Sequence, residues 1–241
     1  FIPIGNTTTA FTGRYDGQGF WIDDLHINRG SSSEIGLFGV VSNGQIINVR
    51  LFDASIIGNN RVAVLAGDVT NNSTISSITI VESSVTGSVT VGGVIGRTSS
   101  TGIHEYLSYS GIVSGVFDVN NPQRGINVGG VIGKMQNNTL LSKSYFNGNI
   151  SGYNFVGGIV GQSTNSASVR NSYSTGHVQG LFGAGGVFGS FASSTAQQCF
   201  TSTTVSTSGN YNGYGSFSMG AHVGQNNYYN SSMSSSQTTS N

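Results

Sequence analysis

The sequence predicts an all-β fold: a single-stranded parallel β-helix (β-solenoid) of about seven or eight coils, each with about 28 residues. A glycine signature returns at nearly constant spacing along the chain. Apolar and polar residues alternate between the signatures, and no stretch has the 3.6-residue period of a helix. Repetition at this period is typical of proteins in which one structural unit is stacked many times.

The glycine signature occurs seven times along the chain. Its copies are IGLFG (35–39), VAVLAG (62–67), VGGVIG (91–96 and 128–133), VGGIVG (156–161), AGGVFG (184–189) and MGAHVG (219–224). They close on Gly39, Gly67, Gly96, Gly133, Gly161, Gly189 and Gly224. The steps between closing glycines are 28, 29, 37, 28, 28 and 35 residues, so two coils carry insertions. We expect these insertions to emerge as loops from one corner of the solenoid.

Four of the signatures contain two adjacent glycines. These pairs are Gly92–Gly93, Gly129–Gly130, Gly157–Gly158 and Gly185–Gly186. They fit either a strand position that has no room for a side chain or a corner that needs positive φ. Because the pair recurs at the coil period, a structural role is favoured over a phosphate-binding loop. No helix follows the pairs and no G-K-[ST] element is present.

The segments between signatures have the two-residue period of a strand. In QIINVRLFDASIIG (45–58), for example, Ile47, Val49 and Leu51 alternate with polar or charged residues. Each unit is therefore expected to hold about three short strands joined at Gly, Asn and Ser corners. We assign residues 1–230 to one solenoid with an atypical first unit at 1–39. The segment 231–241 is expected to be a Ser/Thr-rich flexible tail or linker.

The composition excludes several classes of partner. The 241 residues carry nine basic and nine acidic side chains, so the net charge is +0 and no basic stripe is available for a nucleic acid backbone. No run approaches the ~20 apolar residues of a membrane span. Cys199 is the one cysteine, which rules out an internal disulfide. The opening FIPIGN has neither the basic nor the apolar region of a signal peptide.

Three acidic residues recur at the coil period. Asp24, Asp53 and Glu82 are separated by steps of 29 residues, and the ladder stops because Ser110 or Gly111 follows next. Stacked carboxylates are what a Ca²⁺ site or an acid–base pair on a polysaccharide-cleaving β-helix would need. The favoured interpretation is three solvated acids on successive strands. No catalytic residue, metal site or cofactor is assigned, and these three remain weak metal candidates.

Other polar features give weaker predictions. The histidines have no common spacing. In the Asp23-Asp24-Leu25-His26 cluster, the adjacent Asp23 and Asp24 are expected to point to opposite faces of a strand, which disfavours a metal site. N-glycosylation acceptors lie at Asn6, Asn71, Asn72, Asn137, Asn149 and Asn230, about as many as the composition gives by chance. The insertions make Asn121, Arg124, Tyr211 and Tyr214 candidates for recognition. Thr7 and Thr9 form a Thr-x-Thr pair that does not recur at the coil period, so an ice-binding face has little support.

The opening FIPIGNTTTAFTGRYDGQGFWIDDLHIN, followed by EIGLFGVVSNGQIINVRL, resembles the start of GLUG-motif repeat regions. The units VGGIVGQSTNSASVRNSYSTGHVQG and VGGVIGKMQNNTLLSKSYFNGNISG are similar to the repeat core, over roughly residues 1–190. The resemblance implies a β-solenoid in a secreted or surface-displayed protein. Such repeats occur in bacterial adhesins, haemagglutinin-like proteins and relatives of immunoglobulin-cleaving proteases. In the protease relatives a separate domain is catalytic, so no catalytic residue is carried over.

The sequence therefore predicts a non-enzymatic extracellular or cell-surface rod, as an adhesin module or as a fibre subunit that associates end to end. The expected partners are copies of the chain or adjoining domains at the solenoid ends, and surface glycans or host proteins. The chain begins within a repeat motif and its last units carry no charge, so its ends lack the usual protection against edge-to-edge pairing. The alternative is a polysaccharide-lyase-like or glycan-binding β-helix.

Overall fold

The computed structural model describes residues 1–118, 120–121 and 123–207, together with the backbone of 228–229. Its strands, in chain order, are β1 (Arg14–Asp16), β2 (Trp21–Asp23), β3 (His26–Asn28), β4 (Phe38–Ser42), β5 (Gln45–Phe52), β6 (Ser55–Ile57), β7 (Asn60–Val62), β8 (Ala66–Asn71), β9 (Thr74–Gly87), β10 (Val89–Gly92), β11 (Ile95–Ser100), β12 (Ile103–Gly115), β13 (Ile126–Gly129), β14 (Ile132–Met135), β15 (Leu140–Ser142), β16 (Tyr145–Gly152), β17 (Asn154–Gly157), β18 (Val160–Ser163), β19 (Ser168–Arg170), β20 (Tyr173–Gly180), β21 (Ala184–Gly185), β22 (Phe188–Phe191), β23 (Thr195–Gln197), β24 (Phe200–Thr207) and β25 (Tyr228–Tyr229).

These strands form three parallel sheets that run along a β-solenoid, which confirms the predicted fold class. In the described residues, one sheet has fourteen strands, one has six (β4, β8, β11, β14, β18, β22) and one has five (β7, β10, β13, β17, β21). A coil passes from the six-stranded sheet to the fourteen-stranded broad sheet, on to the five-stranded sheet and back. Strands β8, β9, β10 and β11 follow this path. About seven coils stack in this way.

The residues that precede β4 lie on the solenoid as its first coil. Ile4 pairs with Phe38 and Phe11 with Val41 on the six-stranded sheet, while Ile35 pairs with Val62 on the five-stranded side. Strands β1 and β2 pair with β5, and β3 pairs with β6. The broad-sheet strands of this coil, β1, β2 and β3, are shorter than β5 and β9, which follow them on the next two coils.

The core is a set of inward-facing columns in which equivalent residues stack from coil to coil. One column reads Ile75, His104, Leu141, Val169 and Ala196, all of them buried. These stacks remove apolar side chains from water, which is the main favourable contribution to folding. The alternating pattern of the sequence arises because outward positions face solvent along the same strands.

One core column holds aromatic side chains in the middle coils and polar side chains in the coils that follow. Tyr109 stacks on Phe146 with ring centroids 6.1 Å apart, and its hydroxyl donates to the Ser83 carbonyl at 2.8 Å. The next residues in this column are Ser174 and Thr201, which hydrogen-bond each other at 3.0 Å. The interior therefore becomes partly polar, with its hydroxyl groups paired.

The glycine signatures join the five-stranded sheet to the six-stranded sheet, and we call this part of the solenoid the narrow side. A Cβ on either glycine of the first three doubled pairs would lie less than 3.0 Å from neighbouring backbone, and none of these six glycines has φ in the left-handed range. Gly185 pairs with Gly157, and the carbonyl of Gly186 occupies the space beside Gly158. The doubled glycines thus occupy positions without room for a side chain.

The closing glycines serve the same purpose on the narrow side. A Cβ on Gly67, Gly96, Gly133, Gly161 or Gly189 would meet backbone atoms of the segment that runs through the five-stranded sheet, and one on Gly39 would meet the Gly5 carbonyl. Left-handed backbone instead occurs mainly at non-glycine residues of the corners. Two facing backbones therefore approach each other through the repeated glycines.

The first insertion lies between β12 and β13. Gly87 pairs with Gly115 and Gly129 with Gly157 at the 28-residue step, whereas Val89 pairs with Ile126 at a step of 37. The added residues thus leave the coil after the broad sheet and return before the five-stranded sheet. The second insertion (206–218) lies outside the described residues beyond Thr207, as does the 231–241 tail. Between them, the backbone of Tyr228 and Tyr229 pairs with β24. No helix in the described part of the chain has the length and apolar character to span a membrane.

Candidate binding groove

The long strands of the broad sheet bend at one residue per coil, and these residues form a column along the solenoid. We call it the bend column; it comprises Asn48, Ser77, Tyr106, Lys143, Asn171 and Gln198, together with Gln18, which lies beside Asn48 on the first coil. All seven have φ between 49° and 57°. Asn tolerates this left-handed conformation because its short polar side chain bonds locally, whereas Tyr and Lys are rarer there.

An open groove of about 630 Å³ lies along the first half of the bend column. Its lining residues are Asp16, Gln18, Gly19, Asn48, Arg50, Ser77, Thr79 and Tyr106, contributed by four successive coils. Short side chains form most of this surface. The groove ends at the fourth coil, where the large Tyr106 side chain occupies the bend position that Asn48 and Ser77 leave open.

The carboxylate of Asp16 is fully engaged by neighbouring groups. The Asn48 side chain and the Gln18 backbone N–H each donate to Oδ1 at 3.0 Å, and Arg14 pairs with Oδ2 at 2.9 Å. Hydrogen bonding by Asn48, then by Gln18, and the charge of Arg14 hold the pKa of Asp16 below its usual value. Asp16 is therefore a charged anchor for the groove wall.

Two lining residues of the groove, Arg50 and Tyr106, each take part in a cation–aromatic pair with a neighbour outside the lining. The guanidinium of Arg50 lies 5.5 Å from the ring centroid of Trp21, on the first coil. Lys143 Nζ donates to the Tyr106 hydroxyl at 2.9 Å and lies 4.7 Å from the Tyr106 ring centroid. That hydrogen bond is the main reason why the pKa of Lys143 is raised. Trp21 and Tyr106 are each 50% exposed.

Sequence reasoning missed this groove. Gln18, Asn48, Ser77 and Tyr106 do recur at steps of 30, 29 and 29 residues, so the column is readable from the period. Polar residues at outward positions are nevertheless expected all along a solenoid. Only the bend in the strands shows that these particular positions border a concave surface.

The structure places Asp24, Asp53 and Glu82 in one exposed corner column. The paired residues on either side of Asp24 and Asp53 place these two residues opposite each other on neighbouring coils. The pairs around Asp53 and Glu82 do the same for the next coil. All three have φ near 52°. At the next coil the register shifts between Tyr109 and Gly111, so the column stops. In the described part of the chain, no three His, Cys, Asp or Glu side chains are grouped to hold a metal ion.

The residues predicted for recognition in the first insertion have different environments. Asn121 is exposed, and its Oδ1 accepts from the Gln123 backbone at 3.3 Å. Arg124 donates to Ser88 Oγ at 2.9 Å and lies 3.7 Å from Asp118, so it ties the insertion to the solenoid. Tyr211 and Tyr214 lie outside the described residues, and their role stays a prediction.

Every predicted glycosylation acceptor that the structure describes is exposed: Asn6, Asn71, Asn72, Asn137 and Asn149. Two of them make hydrogen bonds between coils. Asn71 donates to Ser42 Oγ at 2.7 Å, and Asn137 accepts from Asn165 at 3.2 Å. Asn230 lies outside the described residues. The exposed acceptors are accessible to a modifying enzyme, and their use stays a prediction.

A nearly buried ion network on the narrow side was also missed from the sequence. Asp68, 3% exposed, accepts from Arg97 Nε at 2.9 Å and from Arg61 at 3.1 Å. Arg61 reaches Glu34 at 3.2 Å. Hydrogen bonding to Asp68 raises the pKa of Arg97, whereas burial and the charge of Arg97 lower that of Lys134. The network is structural, because its carboxylates are occupied by their cations.

The core contains titratable groups with no access to solvent. His104 Nε2 lies 2.9 Å from Thr98 Oγ1 while Nδ1 has no partner, and burial lowers the pKa of His104 to about 4. Burial also raises the pKa values of Tyr109 and Cys199. Cys199 is buried and its Sγ lies 3.4 Å from the Gln197 carbonyl. A neutral histidine and a protonated thiol in the core do not form a reactive site.

Comparison with known proteins identifies a sequence motif and a related fold. Residues 152–179 match the GLUG motif. A 102-residue stretch, 41% of this chain, is 42% identical to halomucin of Haloquadratum walsbyi (strain DSM 16790 / HBSQ001), and this stretch covers 1% of halomucin. A crystal structure from Bacteroides ovatus, provisionally named an immunoglobulin A1 protease, is similar with a TM-score of 0.60 and 16% identity. That similarity covers 90% of this chain and 68% of the other, and it shows the fold alone. The chain is thus a β-solenoid that carries the GLUG motif, as its sequence predicted.

Proposed function

We propose that this chain is a non-catalytic, rod-shaped module of an extracellular or cell-surface protein, with a structural or adhesive role. The observation that carries the proposal is the unbroken stacking of three parallel sheets through the described coils. Inward positions serve the core, and the signature glycines serve the contact between backbones on the narrow side. Such a scaffold displays side chains at fixed spacing along its outer faces.

The comparisons support an extracellular location. The name of halomucin identifies it as a mucin-like protein. The GLUG motif match agrees with the resemblance of this sequence to repeat regions of surface proteins. The five exposed N-glycosylation acceptors suit the same compartment.

We further propose that the ends of the solenoid are covered by adjoining domains or by copies of the chain. The first coil exposes large apolar side chains: Phe1 (57%), Ile2 (74%) and Phe20 (72%). Apolar groups on the open edge of a sheet favour association. Electron microscopy of the purified chain at several concentrations tests self-association. Rods that lengthen with concentration support the fibre version, and short isolated rods at every concentration contradict it.

The non-catalytic role is tested by an assay of turnover. The purified chain is incubated with a panel of polysaccharides and with immunoglobulin A, beside Asp53→Ala and Glu82→Ala variants. We expect no cleavage by any of the three proteins. Cleavage by the wild type that is lost in either variant would establish the lyase-like alternative, with Asp24, Asp53 and Glu82 as its acidic residues.

A further inference from the structure

We infer that the groove along the bend column binds a short acidic oligosaccharide, using Arg50 for a sugar carboxylate and the neighbouring side chains for hydroxyl groups. This inference deepens the proposed surface role, because it names a ligand class for a rod with an adhesive function. It depends on the geometry of the groove and on its charges, whereas the scaffold proposal depends on the stacked coils.

The shape of the groove suits a short linear ligand lying along the solenoid. Its lining spans four coils, which is about 14 Å at the usual separation of neighbouring strands. Ser77 and Thr79 keep the middle open, and Tyr106 with Lys143 closes one end. A groove with one blocked end accommodates a short oligomer or a chain terminus.

The charges of the groove favour an anionic ligand. The negative charge of Asp16 is balanced by Arg14, and Asp16 Oδ1 accepts two further hydrogen bonds from uncharged groups. Arg50, in contrast, has no Asp or Glu within salt-bridge distance among the described residues. Its planar guanidinium presents paired donors that match a carboxylate, and its stacking on Trp21 holds it in place. The uncompensated charge on the groove wall is therefore positive.

The uncharged lining favours a sugar. Asn48, Ser77 and Thr79 provide amide and hydroxyl groups, which exchange hydrogen bonds with the hydroxyls of a saccharide. Tyr106, which is half exposed and lines the groove on the fourth coil, provides apolar ring surface for the C–H face of a pyranose ring. A nucleic acid would need several cations along the groove, and a peptide would need apolar pockets.

The groove is suited to binding and not to glycoside hydrolysis. Hydrolysis by the usual mechanisms requires two carboxylates on either side of the scissile bond. Asp16 is the one carboxylate among the lining residues, and its oxygens are occupied. We therefore expect ligand to be retained without cleavage.

The test is isothermal titration calorimetry of the whole chain with trigalacturonate, trimannuronate and a hyaluronan tetrasaccharide. Neutral galactotriose and a sulfated trisaccharide serve as comparison ligands. We expect saturable binding of at least one carboxylated probe, at least tenfold tighter than the neutral trisaccharide. Arg50→Gln should weaken this binding about ten- to a hundredfold, as for loss of a charge-assisted hydrogen bond. Arg170→Gln removes another exposed arginine away from the groove and should have no effect.

A second pair of variants tests the location. Ser77→Tyr fills the groove with the residue that the same column accommodates at Tyr106, and it should abolish binding. Asn171→Tyr makes the same change at a bend outside the lining and should bind like the wild type. Circular dichroism establishes whether each variant is folded. If Ser77→Tyr does not fold, the result for Arg50→Gln decides the test.

Three results would overturn the inference: no binding of any carboxylated probe, equal binding of the neutral trisaccharide, or tighter binding of the sulfated one. Equal weakening by Asn171→Tyr would also overturn it. Any of these would leave the scaffold proposal intact, since that proposal is tested by turnover and microscopy.

Discussion

The narrow side and the broad sheet of this solenoid use residues in opposite ways. On the narrow side, Gly93 and Gly130 have no left-handed φ, but a Cβ on either would collide with backbone and with an aromatic ring. In the bend column of the broad sheet the backbone is left-handed, yet the residues include Asn48, Tyr106 and Lys143. On the narrow side, glycine therefore marks crowding, whereas the bend column carries side chains on a left-handed backbone.

A smaller difference separates the early coils from the later ones within the broad sheet. The first three coils turn the corner with Asp24, Asp53 and Glu82 in the left-handed conformation. The fourth, fifth and sixth coils omit one residue and place Gly111, Gly148 and Gly176 at this point, with φ of 146°, 154° and 102°. Thr203 follows on the next coil without a positive φ, so the shorter corner accepts glycine conformations but does not require them.

The largest effect is expected from Gly130→Ala on the narrow side. Its Cβ would overlap the Gly158 carbonyl and the Phe146 ring, so the free energy of unfolding should fall by about 5 kcal/mol or more. Urea denaturation followed by circular dichroism measures this change. The matched control is Gly19→Ala, where φ is +76° but nothing lies within 4 Å, and where we expect a cost of about 1 kcal/mol. Equal costs would contradict the distinction between crowding and conformation.

The next effect concerns the ion network of the narrow side. Asp68→Ala leaves Arg61 and Arg97 without their shared carboxylate, so we expect a loss of about 3–5 kcal/mol in unfolding free energy. Asp53→Asn, at an exposed corner of the broad sheet, removes a carboxylate but keeps a residue type suited to the left-handed backbone, so it should change stability by less than about 0.5 kcal/mol. Thermal and urea denaturation of both variants measure the two losses. Similar losses would show that the buried ion network contributes no more to stability than an exposed carboxylate does.

An intermediate effect is expected from pH, through His104 in the core of the broad sheet. Burial holds the pKa of His104 at about 4 in the folded chain, below the ordinary 6.5, so the unfolded chain binds a proton first. The stability that the folded chain gains from neutral His104 is therefore complete above pH 6.5. It is lost as pH falls towards 4, by about 3 kcal/mol of unfolding free energy in all. His104→Leu should flatten the slope of unfolding free energy between pH 6.5 and 4, and an unchanged slope would refute the assignment.

The smallest effect is expected at a bend. Asn171→Ala keeps φ near 49° but loses the residue type suited to it, so we expect a cost of about 1 kcal/mol. Asn171→Gly should change the unfolding free energy by less than about 0.5 kcal/mol, because glycine adopts this conformation freely. The ratio of the two values, measured in urea, indicates how much of the bend depends on backbone conformation.

The periodicity of the sequence predicted much of the fold. The recurring glycines and the alternation around Val49 and Leu51 predicted parallel coils without helix, since stacking repeats the same environment at every turn. The period also placed Asp53 and Glu82 in one column. It did not place the groove, because Thr79 and Ser108 are paired outward hydroxyl residues that look alike in the sequence, yet only Thr79 lines the groove.

The sequence by itself determined the stacked architecture, because a side chain inside a repeat meets its own equivalent from the next coil. Tertiary structure alone decided what the outward side chains do. It paired Asp16 with Arg14 and Asn48, left Arg50 against Trp21 beside an open groove, and enclosed Asp68 between two arginines. These outcomes depend on how far neighbouring strands bend, and a linear pattern of polar residues does not encode that curvature.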